Sequence, residues 1–131
     1  GKPLELILVK NPSGFRLGLS SFQPEGYATM IAINDNYADG RDMSWLWDVS
    51  FESLKQDGVA MVSGIRAYDM AVRLQYDQVP FRSVNPSLSS ALDEFITANP
   101  QTPKRIYCTY TAMLRIRRAL KSRVSIKEID S

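Results

Sequence analysis

Short apolar runs alternate along this chain with stretches whose apolar residues recur at helical spacing. Leu4 to Val9 is apolar except for Glu5, and Asn11-Pro12 follows with a helix-capping residue and a proline at the first helical position. The pattern predicts a strand, a tight turn and a helix to about Phe22. Gly14 and Gly18 each weaken that helix by about 1 kcal/mol relative to alanine, so tertiary packing must hold it. Gln23-Pro24-Glu25-Gly26 marks a turn, and Tyr27 to Ile33 reads as a second strand. Phe51 and Leu54 suggest a short helical turn between Asp48 and Lys55, closed by Asp57-Gly58. Val59 to Val62 makes a third strand. Beyond Ser63-Gly64, the positions Ala67, Met70, Ala71 and Leu74 fall on one helix face.

The second half repeats the rhythm. Pro80 to Val84 reads as a short edge strand, and Asn85-Pro86-Ser87 caps a helix carrying Leu88, Ala91, Leu92 and Phe95 on one side. Asn99-Pro100 stops that helix. Ile106 to Thr109 is the last strand and Ala112 to Arg123 the last helix, before a charged tail. Strands alternating with helices imply a mostly parallel sheet with right-handed crossovers and helices on both faces. The expected fold is therefore α/β, a small three-layer domain, with residues 1–131 forming one unit.

Composition narrows the chemistry. In 131 residues, 44% are hydrophobic and 23% charged, the balance of a globular chain. A formal charge of +2 is too small to argue for nucleic acid as a partner. No apolar window is long enough to span a bilayer, and the start lacks the layout of a signal peptide, so the cytoplasm is the expected compartment. One cysteine and no histidine exclude an internal disulfide and a self-contained Ser-His or Cys-His nucleophile system, and make a zinc site improbable. Cys108 lies in a β-type run and reads as a small buried hydrophobe.

The densest chemistry lies between Asn34 and Asp48. Asp35, Asp39, Asp42 and Asp48, two amides and Arg41 follow directly on the second strand, at what should be the carboxyl edge of the sheet. Trp45 and Trp47 are expected to anchor the loop by burying their rings. An EF-hand template matches at Asp35, Asp39 and Gly40 but fails at Tyr37 and Leu46, where ligands are needed. Magnesium held by one or two carboxylates, solvated turn and capping acids, and an acid lent to an imidazole on another chain all remain open.

The segments Leu8-Val9-Lys10-Asn11-Pro12-Ser13-Gly14-Phe15, Asn34 to Asp48, and Ser63-Gly64-Ile65-Arg66-Ala67-Tyr68-Asp69-Met70-Ala71-Val72-Arg73-Leu74 resemble the C-terminal domain of the MurT family, the Mur-ligase-like subunits of lipid II isoglutaminyl synthase. The resemblance is dense from Leu4 to about Leu74 and thin from there to about Leu120. It implies a Rossmann-like fold, as in Mur ligase C-terminal domains, and a bacterial ligase that works with ATP and Mg in its full-length form. That ligase amidates the D-glutamate α-carboxylate of the lipid II stem peptide at the inner face of the membrane. It implies a GatD-like glutaminase partner that releases ammonia with its own cysteine and histidine, and to whose triad the MurT domain contributes the acid. Matched position by position, that acid is Asp42.

Asp42 also lies between Gly40 and the tryptophans, whereas Asp35, Asp39 and Asp48 occupy positions suited to turns and caps. Lys10 and Asn11 match the position where Mur-type C-terminal domains lean over nucleotide and substrate, and a phosphate at this helix start is physically reasonable. An N-cap role for Asn11 competes with that reading. Arg66 and Asp69 are expected to tie the second helix to the acidic loop, and Arg41 to pair with a nearby or partner carboxylate. Arg115, Arg117, Arg118, Lys121 and Arg123 read as a solvated helix face. The chain has no Gly-x-x-x-x-Gly-Lys-[Ser/Thr] loop and no cysteine ribbon, both of which belong to the family's central domain, so no cofactor and no metal are expected in this domain alone. A non-catalytic interaction domain and a magnesium-dependent phosphotransfer domain are the competing functions.

Overall fold

The computed structural model describes residues 3–121. Five parallel strands, β1 (Leu4–Leu8), β2 (Ala28–Ala32), β3 (Val59–Ser63), β4 (Phe81–Asn85) and β5 (Lys104–Cys108), form one sheet in the order β1-β5-β2-β3-β4. Four helices connect or follow them: α1 (Pro12–Ser21), α2 (Ala67–Tyr76), α3 (Leu88–Thr97) and α4 (Tyr110–Lys121). The three-layer α/β expectation holds, and β4 is an edge strand as expected, with β1 at the opposite edge. No described helix is long and apolar enough to cross a membrane.

Because side chains alternate across a strand, each strand feeds two cores. Ile7, Ile31, Val62 and Tyr107 point to the layer built by Phe15 and Leu19 of α1 and by Ala67, Met70 and Leu74 of α2. Leu6, Met30, Met61 and Ile106 point to the layer of α3 and α4. The faces read off the sequence, Leu88-Ala91-Leu92-Phe95 among them, are buried as expected.

Helix α1 depends on its start. Asn11 has extended backbone and its Oδ1 accepts the Gly14 amide at 2.7 Å, with Pro12 opening the helix. Asn11→Ala should therefore cost about 1 kcal/mol in urea unfolding, the usual value of an N-cap; a change near zero would mean that packing alone sets this helix.

Several element boundaries differ from the sequence expectation. Strand β5 begins two residues before Ile106, at Lys104, because the hydrogen-bonding groups of both leading charges are satisfied in place and Arg105 is paired with an acid. The Lys104 ammonium donates to the carbonyls of Asn99 and Thr102, at 2.9 and 3.0 Å. Arg105 donates to Glu5 Oε1 at 2.8 Å and to the Gln23 carbonyl at 2.7 Å, with the Tyr27 ring 3.9 Å away. The helical turn expected between Asp48 and Lys55 is the 3-10 turn Glu52–Leu54, and two further 3-10 turns the sequence did not announce, Tyr37–Asp39 and Ser44–Asp48, precede it. Helix α4 starts at Tyr110, before Ala112; Arg123, at the end of the expected helix, lies outside the described residues. Arg115, Arg118 and Lys121 are exposed and Arg117 is half-buried, which fits a largely solvated face.

Candidate functional site

Strand β5 sits between β1 and β2, yet β1 sends its helix to one face of the sheet and β5 sends α4 to the other. Chains leaving adjacent strands toward opposite faces open a crevice at the carboxyl edge, the usual ligand position in such sheets. A cavity of about 420 Å³ occupies it, lined by Val9, Lys10, Ala38, Asp39, Gly40 and Tyr110. Lys10 is thus brought against the acidic loop. Asn11, its neighbour, is committed to capping α1.

Asn34 organises this edge. It is 3% exposed and connects three strand ends. Its amide N–H donates to Thr109 Oγ1 at 2.9 Å, its Oδ1 accepts the Ile65 amide at 2.9 Å, and its Nδ2 donates to Thr111 Oγ1 at 3.1 Å. Asp39 completes the link to α4. Its Oδ1 accepts the Thr111 amide at 2.7 Å, and its Oδ2 accepts both the Thr111 hydroxyl and the Asn36 amide, the latter at 3.1 Å. A carboxylate at a helix N-terminus satisfies an orphan donor and meets the positive end of the dipole. Asp39 therefore acts as a long-range helix cap.

Asp35 is tied to α2. Arg66 lies 3.1 Å from Asp35 Oδ2 and 2.5 Å from Asp69 Oδ2, joining loop and helix as the sequence suggested. Arg41 differs from expectation: its guanidinium stands over the Tyr37 ring at 5.1 Å. Asp48 differs as well. It does not cap the following turn; the Phe51 amide there donates to Asp77 Oδ2 at 2.8 Å, while the Asp48 carbonyl accepts from Arg16 at 2.7 Å.

Asp42 and Asp48 are the two loop acids that face outward, and of these Asp42 is the one whose carboxylate is held by a backbone amide. The Asp42 side chain is exposed, and its Oδ1 accepts the Ser44 amide at 2.9 Å, a local turn that fixes the carboxylate against the first residue of the Ser44–Asp48 turn. That backbone hydrogen bond, with help from the Ser44 hydroxyl and the Arg66 charge, holds the Asp42 carboxyl below its ordinary range. It is ionised throughout neutral pH.

The tryptophans are a weaker anchor than expected. Trp45 is half-buried, 6.3 Å from Phe15, but Trp47 is 49% exposed and meets Tyr76 edge-on at 5.3 Å. The buried pins are Met43, Leu46, Val49 and Phe51. Asp42 thus adjoins a buried methionine rather than a pair of buried indoles.

Three residues essential to this geometry went unread in the sequence: Thr111, Arg73 and Asp77. Arg73 is 5% exposed and donates from Nε to the Leu46 carbonyl at 3.0 Å and from Nη2 to the Val49 carbonyl. Its Nη1 lies 2.9 Å from Asp77 Oδ1. The available signal was an arginine on the apolar stripe of α2, one turn beyond Met70, with an aspartate four residues on.

Burial opposes ionisation of Asp77, but Arg73 and the Phe51 amide overcome it and leave the carboxyl below its ordinary range. A depressed folded-state value contributes stability that is present above the unfolded pKa near 4 and lost as pH falls through the folded value. Asp77→Asn should cost about 1–2 kcal/mol at neutral pH, and the gap to the parent should narrow below about pH 4. Equal losses at pH 3 and pH 7 in urea titrations would contradict this.

Cys108 is fully buried, its thiol pushed up to about 12 by desolvation, which makes it inert as a nucleophile.

The profile of the family described as MurT ligase C-terminal matches residues 8–113. The MurT subunit of lipid II isoglutaminyl synthase (glutamine-hydrolyzing) from Streptococcus pneumoniae (strain ATCC BAA-255 / R6) is 32% identical over 134 residues, covering 97% of this chain and 30% of that protein. The subunit of the same name from Staphylococcus aureus (strain COL) is 42% identical over 82 residues, covering 60% of this chain and 19% of that protein. The chain thus spans less than a third of the length of these relatives. With its all-parallel sheet and the profile match across most of its length, this chain belongs to the MurT ligase C-terminal family.

Proposed function

We propose that this chain is the C-terminal domain of the ligase subunit of a glutamine-dependent lipid II isoglutaminyl synthase, where it docks a GatD-like glutaminase and supplies Asp42 as the acid of that partner's triad. The observation that carries the reading is an exposed, ionised carboxylate held by a backbone N–H in a chain that contains no histidine of its own. The printed names of the relatives, glutamine-hydrolyzing synthase subunits, support it.

In a nucleophile-base-acid arrangement the acid accepts the Nδ1–H of the imidazole, fixes its tautomer and stabilises the imidazolium that forms. Those duties need a charge, a fixed direction and access from outside. They do not need the three groups to share a polypeptide. In the full-length protein ATP and Mg, held outside this domain, would supply a phosphoryl group to activate the D-glutamate α-carboxylate of the lipid II stem peptide, and ammonia from the glutaminase would displace that phosphate to form the amide. Lys10, which lines the crevice, would face an anionic group of nucleotide or substrate, with the α1 N-terminus and Asn11 beside it.

The magnesium-dependent phosphotransfer alternative is disfavoured by the engagement of the other loop acids, Asp39 with Thr111 and Asp35 with Arg66. The test against a purely adhesive domain is Asp42→Asn in the complete two-subunit protein: association retained, hydrolysis lost. Hydrolysis at the parental rate would remove the reading.

A further inference from the structure

We propose that Arg73 is a positioning residue for Asp42, holding the Ser44–Asp48 turn in the one place from which the acid can reach a partner's imidazole. The proposal rests on the reading of Asp42 as the triad acid and adds to it the device that aims that acid. The segment between β2 and β3 has no regular helix or strand longer than a short 3-10 turn, so its shape comes from side-chain attachments. Two such attachments flank Asp42. On the near side, Asp39 fastens the loop to α4 through Thr111. On the far side, Arg73 fastens it to α2.

The route from Arg73 to the acid is short and unbroken. Asp42 Oδ1 is hydrogen-bonded to the amide of Ser44, which opens the 3-10 turn. Arg73 binds the carbonyl of Leu46 within that turn and the carbonyl of Val49 at its C-terminal end. Asp77 then holds both Arg73 and the Phe51 amide. The turn against which the acid is held is therefore fastened to α2, and the attachment is a planar fork. Rings of Trp47, Phe51 and Tyr76, centred 4.9, 5.3 and 5.8 Å from its central carbon, confine the guanidinium. A lysine has the charge but not the fork or the stacking plane.

A nearly buried arginine-aspartate pair is costly to desolvate, and well-packed apolar residues often serve stability as well or better. Here the cation satisfies two carbonyls of the loop that presents the acid, a placement that apolar packing could not reproduce. Catalytic geometry is sensitive enough for this to matter, because a misplacement of about 1 Å can cost about 100-fold in rate.

The test is a double-mutant cycle in the complete two-subunit protein, reading steady-state glutamine hydrolysis. Arg73→Lys should lower kcat for hydrolysis about 10- to 100-fold, leave KM for glutamine unchanged, and spare amidation supported by added ammonium. In the D42N background the same substitution should change hydrolysis less than about two-fold, since there is no longer an acid to aim. Full multiplicative losses, an unaffected kcat for R73K, or loss of the ammonium-supported reaction would each overturn the inference while leaving Asp42 as the acid. If D42N itself has no effect, the reading of Asp42 fails and this inference with it. Should R73K not fold, D77N loosens the same attachment through Phe51 and is read in the same cycle by the same criteria.

Discussion

In the assembled two-subunit protein, Asp42→Asn should lower glutamine hydrolysis about 1,000- to 10,000-fold, with subunit association and melting temperature unchanged. The asparagine keeps an oxygen able to accept the Ser44 amide, so the local turn survives. Under the proposed role, what it would lose is the charge that stabilises the partner's imidazolium, and it would gain an N–H that favours the wrong tautomer of that ring. The side chain is exposed, which removes any large packing consequence. Amidation driven by added ammonium should persist, because it bypasses hydrolysis. Asp42→Ala should be no less impaired, and Asp42→Glu should recover part of the activity only if the longer arm can still meet the imidazole. The lowered pKa of Asp42 adds a second measurable consequence. The carboxylate stays charged as pH falls to the ordinary carboxylate range, so the acidic limb of the hydrolysis profile should follow the partner's imidazole, near pH 6–7. A limb centred near pH 4 would assign titration to Asp42 instead.

What the sequence disclosed and what it hid divide along contact range. Element order, the edge placement of β4 and the N-cap at Asn11 rest on residues within a few positions of one another, and short-range pattern captures them. The resemblance that singles out the acidic loop, and the proposal of Asp42 within it, came from a string of adjacent residues. The attachments that give the loop its shape join Asp39 to Thr111 and Leu46 to Arg73, pairs far apart in the chain. No periodicity encodes them. The tryptophans misled for a related reason: large aromatic rings are good anchors on average, but Arg73 lies close enough to Trp47 to hold its ring at the surface as a stacking partner. Lys104 and Arg105 hid the start of β5 because charges argue against a central strand until their partners, Glu5 among them, are known.

Gly64→Ala should be the most destabilising single substitution near this edge, costing about 4 kcal/mol in urea unfolding of the full chain. Gly64 directly follows β3 with φ +98°, and a Cβ built there would lie 2.3 Å from the Ile33 carbonyl oxygen and 2.8 Å from the Ile33 nitrogen. Those are backbone atoms of the neighbouring strand's end, so no rotamer change relieves the overlap. Ile33 cannot retreat cheaply either. Its amide donates to the Ser63 carbonyl at 2.9 Å and its carbonyl accepts the Arg66 amide at 2.9 Å, the contacts that seat α2 against β2. Two causes, dihedral strain and steric overlap, are separable. Asparagine tolerates positive φ better than alanine, so Gly64→Asn should recover most of the loss if strain dominates and little if overlap dominates; the 2.3 Å approach predicts little. Ile65→Ala, one residue on and 57% exposed, is the control and should cost under about 0.5 kcal/mol. The effect should also reach the acid. Displacing Ile33 displaces Asn34, whose side chain holds Ile65 on one side and Thr111 on the other. Thr111 in turn holds Asp39, three residues before Asp42. A glycine directly after β3 thereby governs where a carboxylate on a loop from β2 is presented, and any G64A protein that still folds should lose glutamine hydrolysis out of proportion to its lost stability.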